Sequence, residues 1–515
     1  MTNRQPKRVL AGGAAVKKKH KPVTLEDLPV ELFVSIIILS LPEPLEGTDL
    51  PTSYVNKAAL TISSVSRAWR SIALETPLLW SRLSLDMRSR QTDNPQTFKE
   101  RSEKRLQLWD LAKSRTADIP LDIHVAVDIH ITERFGATQV LHAIQDRLVP
   151  LFVHERHRWK RVNMWLPLFV LPKFTPPRNP NPQTNRIRGE EDAFVLNNLC
   201  SLQVAFLHFF GEYPRNIYTP FHLDFSNSGK LERLECPDDL PRILSPILRD
   251  TSTQFRNLTT VNAGNIMHFS FNELVQMLGI LSHSIQRLEF RIPMTYSARG
   301  SQDHIEFPRL THLQVYFGPK RGFNDFSPNS LSLLLSILVT PSLEHLANCT
   351  STQVSITKPD DDPGMVRLCT EMTRFLQRSK PPLKVLSLKY PIAMPGEALN
   401  ELLEQVPLLT ELCLFHMGMR VMGTVETLTN ATTGGQNGSI RRLCPRLQKL
   451  SIIGAQFSSD GVIQMLRSRR SLKFALFLER WNSSIVDNVA TLRSIYHEST
   501  VVQMMREGLQ LKILP

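Results

Sequence analysis

Glycine is scarce in this chain, with 22 residues in 515 against 72 leucines. That balance works against glycine-rich nucleotide folds, which need backbone to approach phosphate closely, and favours an architecture packed by leucine. Cysteine is scarcer still. The six present (Cys200, Cys236, Cys349, Cys369, Cys413, Cys444) are scattered, and no CxxC occurs, so neither a zinc knuckle nor a redox dithiol is legible. Long apolar runs are missing too. Leu32–Leu41 and Leu331–Val339 are about half of what a bilayer span needs, and no apolar segment follows the first residues as in a secretory signal. The expected setting is therefore the cytoplasm, the nucleus or both, without a membrane, and the five N-x-Ser/Thr sequons carry no expectation of glycans.

Motifs of catalysis are also missing. The chain has no G-x-G-x-x-G, no G-x-x-x-x-G-K-S/T, no H-E-x-x-H and no G-x-S-x-G, which removes the common nucleotide, zinc-protease and serine-hydrolase signatures. His154 and His157 lack a third ligand, and Asp360-Asp361-Asp362 lacks the spaced ligands of a calcium loop. Cys413 has no positioned base beside it. Arg441-Arg442 and the Arg467–Arg470 run are basic without interleaved aromatic residues, so nucleic acid is not the expected partner. The expectation is a protein with no activity, cofactor or metal of its own.

What the chain does have is a basic start and a repeated phrase. Net charge is +13, and residues 1–22 contribute seven lysines and arginines with no acid. That segment reads as a disordered basic tail. Residues 23–82 read as a compact helical unit. Leu28, Leu32, Ile36 and Leu39 form one apolar stripe, Pro42 and Pro44 stop that helix, and Ala58–Ala73 continues with Ile62, Val65, Trp69 and Ile72 at helical spacing. So small a unit has a marginal core and wants a partner.

Residues 83–515 follow another rhythm. A helix (Glu100–Ser114) precedes a strand (Ile119–Val127), and a helix (Thr138–Val153) precedes a strand (Arg161–Leu166). Then one phrase recurs, as in Leu310-Thr-His-Leu313-Gln-Val315 and Leu383-Lys-Val-Leu386-Ser-Leu388. Its second apolar residues are 234, 261, 288, 313, 346, 386, 412 and 450. Four of the seven spacings fall within about 20–29 residues, the range of leucine-rich repeats. Helices are expected between phrases, at Phe271–Leu281, Ser330–Val339, Met365–Arg378, Glu397–Gln405 and Asp460–Arg469. The long gaps hold insertions at 357–362 and 432–439. The expected fold is an α/β solenoid, a helical N-terminal unit followed by an irregular leucine-rich-repeat horseshoe with a parallel sheet on its concave side. Outward strand positions there include Glu289, Arg291, Gln314, Tyr316, Ser387, Lys389, Phe415 and Ser451. Arg291, Tyr316, Lys389 and Phe415 are the candidate substrate-binding residues, since Arg and aromatic side chains dominate interface hot spots.

In the helical unit, Leu28-Pro29-Val30-Glu31-Leu32, Val65-Ser66-Arg67-Ala68-Trp69-Arg70 and Thr76-Pro77-Leu78-Leu79-Trp80 occur in order. Together they resemble an F-box, and the F-box with leucine-rich repeats resembles the F-box family of mushroom-forming fungi. The resemblance covers about 55 residues. It implies a substrate receptor of an SCF-type (Skp–cullin–F-box) ubiquitin ligase, whose F-box docks the Skp adaptor of the cullin complex while the repeats hold a protein substrate. Leu28, Pro29, Ile36, Val65 and Trp69 match the positions that in the family form the box core and its adaptor-facing edge. The alternative is a non-catalytic leucine-rich-repeat scaffold outside the ubiquitin system, with these helices as a structural cap.

Overall fold

A computed structural model describes residues 29–40, 53–88, 94–127, 142–144, 146–148, 150, 155–167, 198–207, 229–236, 255–263, 271–292, 304–317, 329–350, 363–389, 396–415, 428, 443–453, 459–469, 471–478 and 495–514. The basic tail, Leu28, His154, the Asp360–Asp362 run, both insertions and much of the 138–153 helix lie outside the described residues.

The chain opens with α1 (Val30–Ser40), α2 (Ser53–Val65), α3 (Arg67–Glu75) and a 3-10 turn over Pro77–Trp80. Where one helix is expected over 58–73, two are found. Ser66 is the reason: its backbone is extended (φ −150°, ψ 172°) and its hydroxyl accepts the Trp69 amide at 3.2 Å, capping a new helix. Next come β1 (Arg82–Met87), α4 (Pro95–Ser114), β2 (Leu121–Val127), β3 (Trp159–Pro167) and β4 (Ser201–Leu207). Helix α4 starts five residues before its expected position, because Asn94 caps it and Pro95 fits the first turn.

The remaining main strands are short. They are β5 (Arg233–Cys236), β6 (Thr260–Ala263), β7 (Arg287–Ile292), then β9 (His312–Phe317) and β11 (His345–Thr350), with a two-stranded side sheet of β8 (Ile305–Glu306) and β10 (Leu338–Val339). The last five are β12 (Val385–Lys389), β13 (Glu411–Phe415), β14 (Lys449–Ile453), β15 (Phe474–Leu478) and β16 (Gln510–Leu514). Helices Phe271–Leu281, Asn329–Ile337, Pro363–Ser379, Gly396–Glu404 and Ser459–Ser468 sit between strands, each within two residues of its expected bounds.

All fourteen main strands form one parallel sheet in chain order. This is the topology of a solenoid of the leucine-rich-repeat type. One line of register crosses it: Leu83, Ile123, Val162, Leu202 and Leu234 face each other in succession. It continues through Val261, Leu288, Leu313, Leu346, Leu386, Leu412, Leu450, Ala475 and Leu511. Every member is buried, so the eight second residues of the repeated phrase occupy one row, extended by six others.

The first residue of each phrase is buried as well, and the residue after it does specific work. The carbonyl of Glu232 accepts the amides of Thr259 and Thr260 at 2.8 and 3.1 Å. Thr259, Gln286, Thr311, Glu344, Lys384, Thr410 and Gln448 repeat the pattern toward the next strand. Where threonine follows the first leucine, its hydroxyl donates a third bond to the same kind of carbonyl, as from Thr311 to Gln286 at 3.1 Å and Thr410 to Lys384 at 3.0 Å. Arginines stitch the repeats from beside the sheet. Arg378 donates to Leu335 and Leu338 carbonyls, and buried Arg469 to those of Leu428 and Cys444. Arg467 pairs with Glu498 at 2.6 Å. The described part of the Arg467–Arg470 run is thus committed to the fold.

Two substitutions test this packing. Leu386 is fully buried in the middle of the row, so Leu386→Ala should cost about 2–5 kcal/mol in denaturant unfolding. Lys380 is exposed with φ of 43°, a conformation that glycine adopts freely and β-branched residues resist. Lys380→Gly should stay within about 0.5 kcal/mol of the parent, while Lys380→Val should cost about 1 kcal/mol or more.

Candidate protein-interaction surfaces

Alternation turns the residues on either side of each ladder residue to the opposite face of the sheet. The position just before it builds one column. Arg82, Asp122 and Arg161 align at the N-terminal end, with both arginines 3.9 Å from the Asp122 carboxylate. Arg287, His312 and His345 align in the middle. Glu411 and Lys449 follow, paired at 3.2 Å. The column is charged or polar over most of its length, which suits a solvated binding face.

The middle of this face is the most organised part. The His312 and His345 rings stack with centroids 4.1 Å apart and an interplanar angle of 11°. Burial, mutual repulsion and Arg287 hold His312 below the usual imidazole range, against the pull of Glu344. Burial also holds His345 low, while Glu344 and Glu411 pull it up. One step along, the Tyr316 hydroxyl donates to the Glu289 carboxylate at 2.7 Å, and Gln314 donates to Tyr316.

The candidate substrate-binding residues fall into two register pairs. Arg291 lies opposite Tyr316, and Lys389 lies opposite Phe415. All four stand three residues beyond the ladder residue of their strands. Tyr316 is half-buried and already engaged by Glu289 and Gln314, which makes it part of a fixed polar network. The sequence reading passed over Arg287, His312 and His345. The signal was present, since each occupies the third place of its phrase (Ile285-Gln-Arg287, Leu310-Thr-His312, Leu343-Glu-His345).

A second surface lies on the helical unit. Pro29, Ile36 and Val65 are exposed, Ile36 at 48% and Val65 at 58%. Trp69 behaves differently. Its ring packs edge-on against buried Phe33, centroids 4.5 Å apart, and it joins the apolar core. Its contact is therefore with the inward side of α1. Helix α1 turns Phe33 and Ile37 inward and leaves Val30, Leu32, Ile36 and Leu39 outside. The core continues without a break into the solenoid: the Trp80 indole donates to the Ala73 carbonyl at 2.7 Å, and Arg115 lies over the Trp80 ring.

Among the described residues no cluster of three or more His, Cys, Asp or Glu is placed to hold a metal ion, and no helix is long and apolar enough to cross a membrane. Burial pushes the Cys369 thiol up to about 12 and that of Cys444 up to about 11, so both are inert structural thiols. Cys413 is half-buried on the open face. No protein-family profile matches the chain, and no curated protein sequence does. Among solved structures it is similar to TLR13 in the crystal structure of the TLR13–ssRNA13 complex, at 14% identity and a TM-score of 0.29. The match covers 56% of this chain and 40% of that one, so the chain spans less than half the length of that relative.

His124 supplies a pH test of this face. It stands between Ser84 and Asn163 in register. Burial lowers its pKa to about 4, with Asp86 opposing and Arg88 assisting. The unfolded chain binds this proton near pH 6.5, the folded chain only near 4. Stability from the neutral ring is therefore complete above pH 6.5 and lost as pH falls toward 4, on the order of 2–3 kcal/mol. His124→Gln should flatten the fall in urea midpoint between about pH 7 and pH 5. An unchanged slope would show that the ring is solvated in the folded state.

Proposed function

We propose that this protein is the substrate-recognition subunit of an SCF-type E3 ubiquitin ligase, with no catalytic activity of its own. In this reading the N-terminal helices dock a Skp-type adaptor, which links to the cullin complex. The solenoid's open sheet face holds a protein substrate, and ubiquitin transfer is performed by other subunits. The observation that carries the reading is the division of α1. Phe33 and Ile37 face the core, while Val30, Leu32, Ile36 and Leu39 stay in water, Leu39 at 85% exposure. Val65, Leu74 and Leu78 of the same unit are exposed as well. At about 25 cal/mol per Å² of apolar burial, so concentrated an apolar surface favours a covering partner. The F-box resemblance names that partner as the adaptor.

The scaffold alternative has its own support, since the helices share a core with β1 and so serve as the solenoid's cap. A cap needs only its inward side, and the Leu32–Ile36 side is the one the docking reading explains.

The test separates the two sides of α1. Leu32→Ser with Ile36→Ser touches exposed residues only, and should weaken adaptor binding in a pulldown by at least about tenfold, or ~1.4 kcal/mol, with circular dichroism unchanged. Trp69→Ala should instead lower stability, by about 3 kcal/mol for a large core truncation. Full adaptor binding by the folded double variant would sink the docking reading, and a parent chain that binds no adaptor would favour the scaffold.

A further inference from the structure

We propose that Arg287, His312 and His345 form an anion-reading site on the open sheet face, which takes an acidic side chain of the partner protein and holds it more tightly as pH falls. The inference deepens the reading of that face as the substrate-binding surface and rests on it.

The three side chains occupy one column on β7, β9 and β11. Neighbouring strands lie about 4.8 Å apart, so a carboxylate over the column is within reach of a guanidinium and an imidazole at once. The acids around them are engaged. On β7, Glu289 accepts the Tyr316 hydroxyl of β9 and approaches Arg287 only to 3.9 Å. Ahead of β11, Glu344 pairs with Lys384 at 2.6 Å, and Glu411 of β13 pairs with Lys449 of β14 at 3.2 Å. Arg287 keeps 56% of its side chain exposed, within reach of a ligand.

The proton inventory fixes where the change occurs. The Thr311 hydroxyl donates to the Gln286 carbonyl at 3.1 Å and lies 2.8 Å from His312 Nδ1. That contact occupies Nδ1, and of the two nitrogens of a neutral ring one donates and the other accepts. Protonation makes both of them donors. In the empty site, burial and neighbouring positive charge oppose that step. A bound carboxylate favours it, and by linkage a ligand that raises an imidazole pKa binds more tightly as pH falls.

The geometry argues against two other occupants. Near-parallel rings 4.1 Å apart do not converge their nitrogens on one metal ion. A continuous polyphosphate would meet Glu289, Glu344 and Glu411 around the column, whereas one carboxylate of a folded or extended peptide avoids them.

The probe is a fluorescent octaglutamate peptide on the full chain, followed by anisotropy at about pH 7.5 and pH 6 at fixed ionic strength, with an oligothymidine of matching charge in parallel. One unit of upward shift at one ring on binding corresponds to as much as about tenfold tighter binding at the lower pH. His312→Gln with His345→Gln should bind octaglutamate with little pH dependence, and Arg287→Gln should weaken binding at both pH values. Histidine-selective NMR titration of the parent chain needs no variant and should show both rings titrating higher with the peptide present. Absence of peptide binding, equal pH dependence in the folded double variant, unmoved ring titrations, or tighter binding of oligothymidine would each overturn the site. Adaptor capture involves none of these residues, so failure here and failure of the docking reading register separately.

Discussion

Everything in this molecule depends on one lateral contact, the packing of a single buried aliphatic residue from each strand against its counterparts on the strands to either side. From Leu83 to Leu511 that row crosses fourteen strands without interruption. No repeat can bury its own leucines, so each is stable only through its neighbours. Amide pairs converging on the carbonyl after the first leucine fix the register, and a one-residue slip would turn every apolar group to water. Because this device needs only a few residues per repeat, the chain between strands is free to vary. Steps from Leu83 to Ile123, Val162 and Leu202 are 40, 39 and 40 residues, while Leu288 to Leu313 takes 25. Irregular spacing and a regular sheet are therefore compatible.

The same constraint explains the N-terminal end. A sheet of this kind has an exposed first strand, and edge strands invite unwanted pairing unless covered. The helical unit packs against that strand, with Leu79 and Trp80 continuing into the core of β1. It cannot bury all its own apolar surface while doing so, because one side of α1 is spent on Phe33 and Ile37. The remaining side and the charged sheet face are physically different surfaces, one apolar and one polar, which suits two different partners.

The repeats from Leu231 onward were legible because leucine fills both positions of the phrase in six of the eight, with Val261 and Ile285 the exceptions. Strands β2 and β3 were read as strands but not as repeats, because Trp159 and Val162 stand where leucines would and the steps near 40 residues exceed the usual period. Leu199-Cys-Ser-Leu202-Gln-Val204 carries the full phrase and was simply missed, while Ala475 and Leu511 lack its spacing or its leucine. The orientation of α1 was not legible at all. Its sequence, VELFVSIIILS, is apolar on nearly every side, so periodicity cannot decide which stripe turns inward. The His312–His345 stack comes from non-local register, visible only once phrases are aligned by their second leucine.

Hydrogen–deuterium exchange of the full chain, with and without a Skp-type adaptor, tests the central claim most directly. The account predicts slower exchange over 30–40 and 65–80 on adaptor binding, with β7 to β16 unchanged. Slower exchange on the strands with 30–40 unaffected would contradict it.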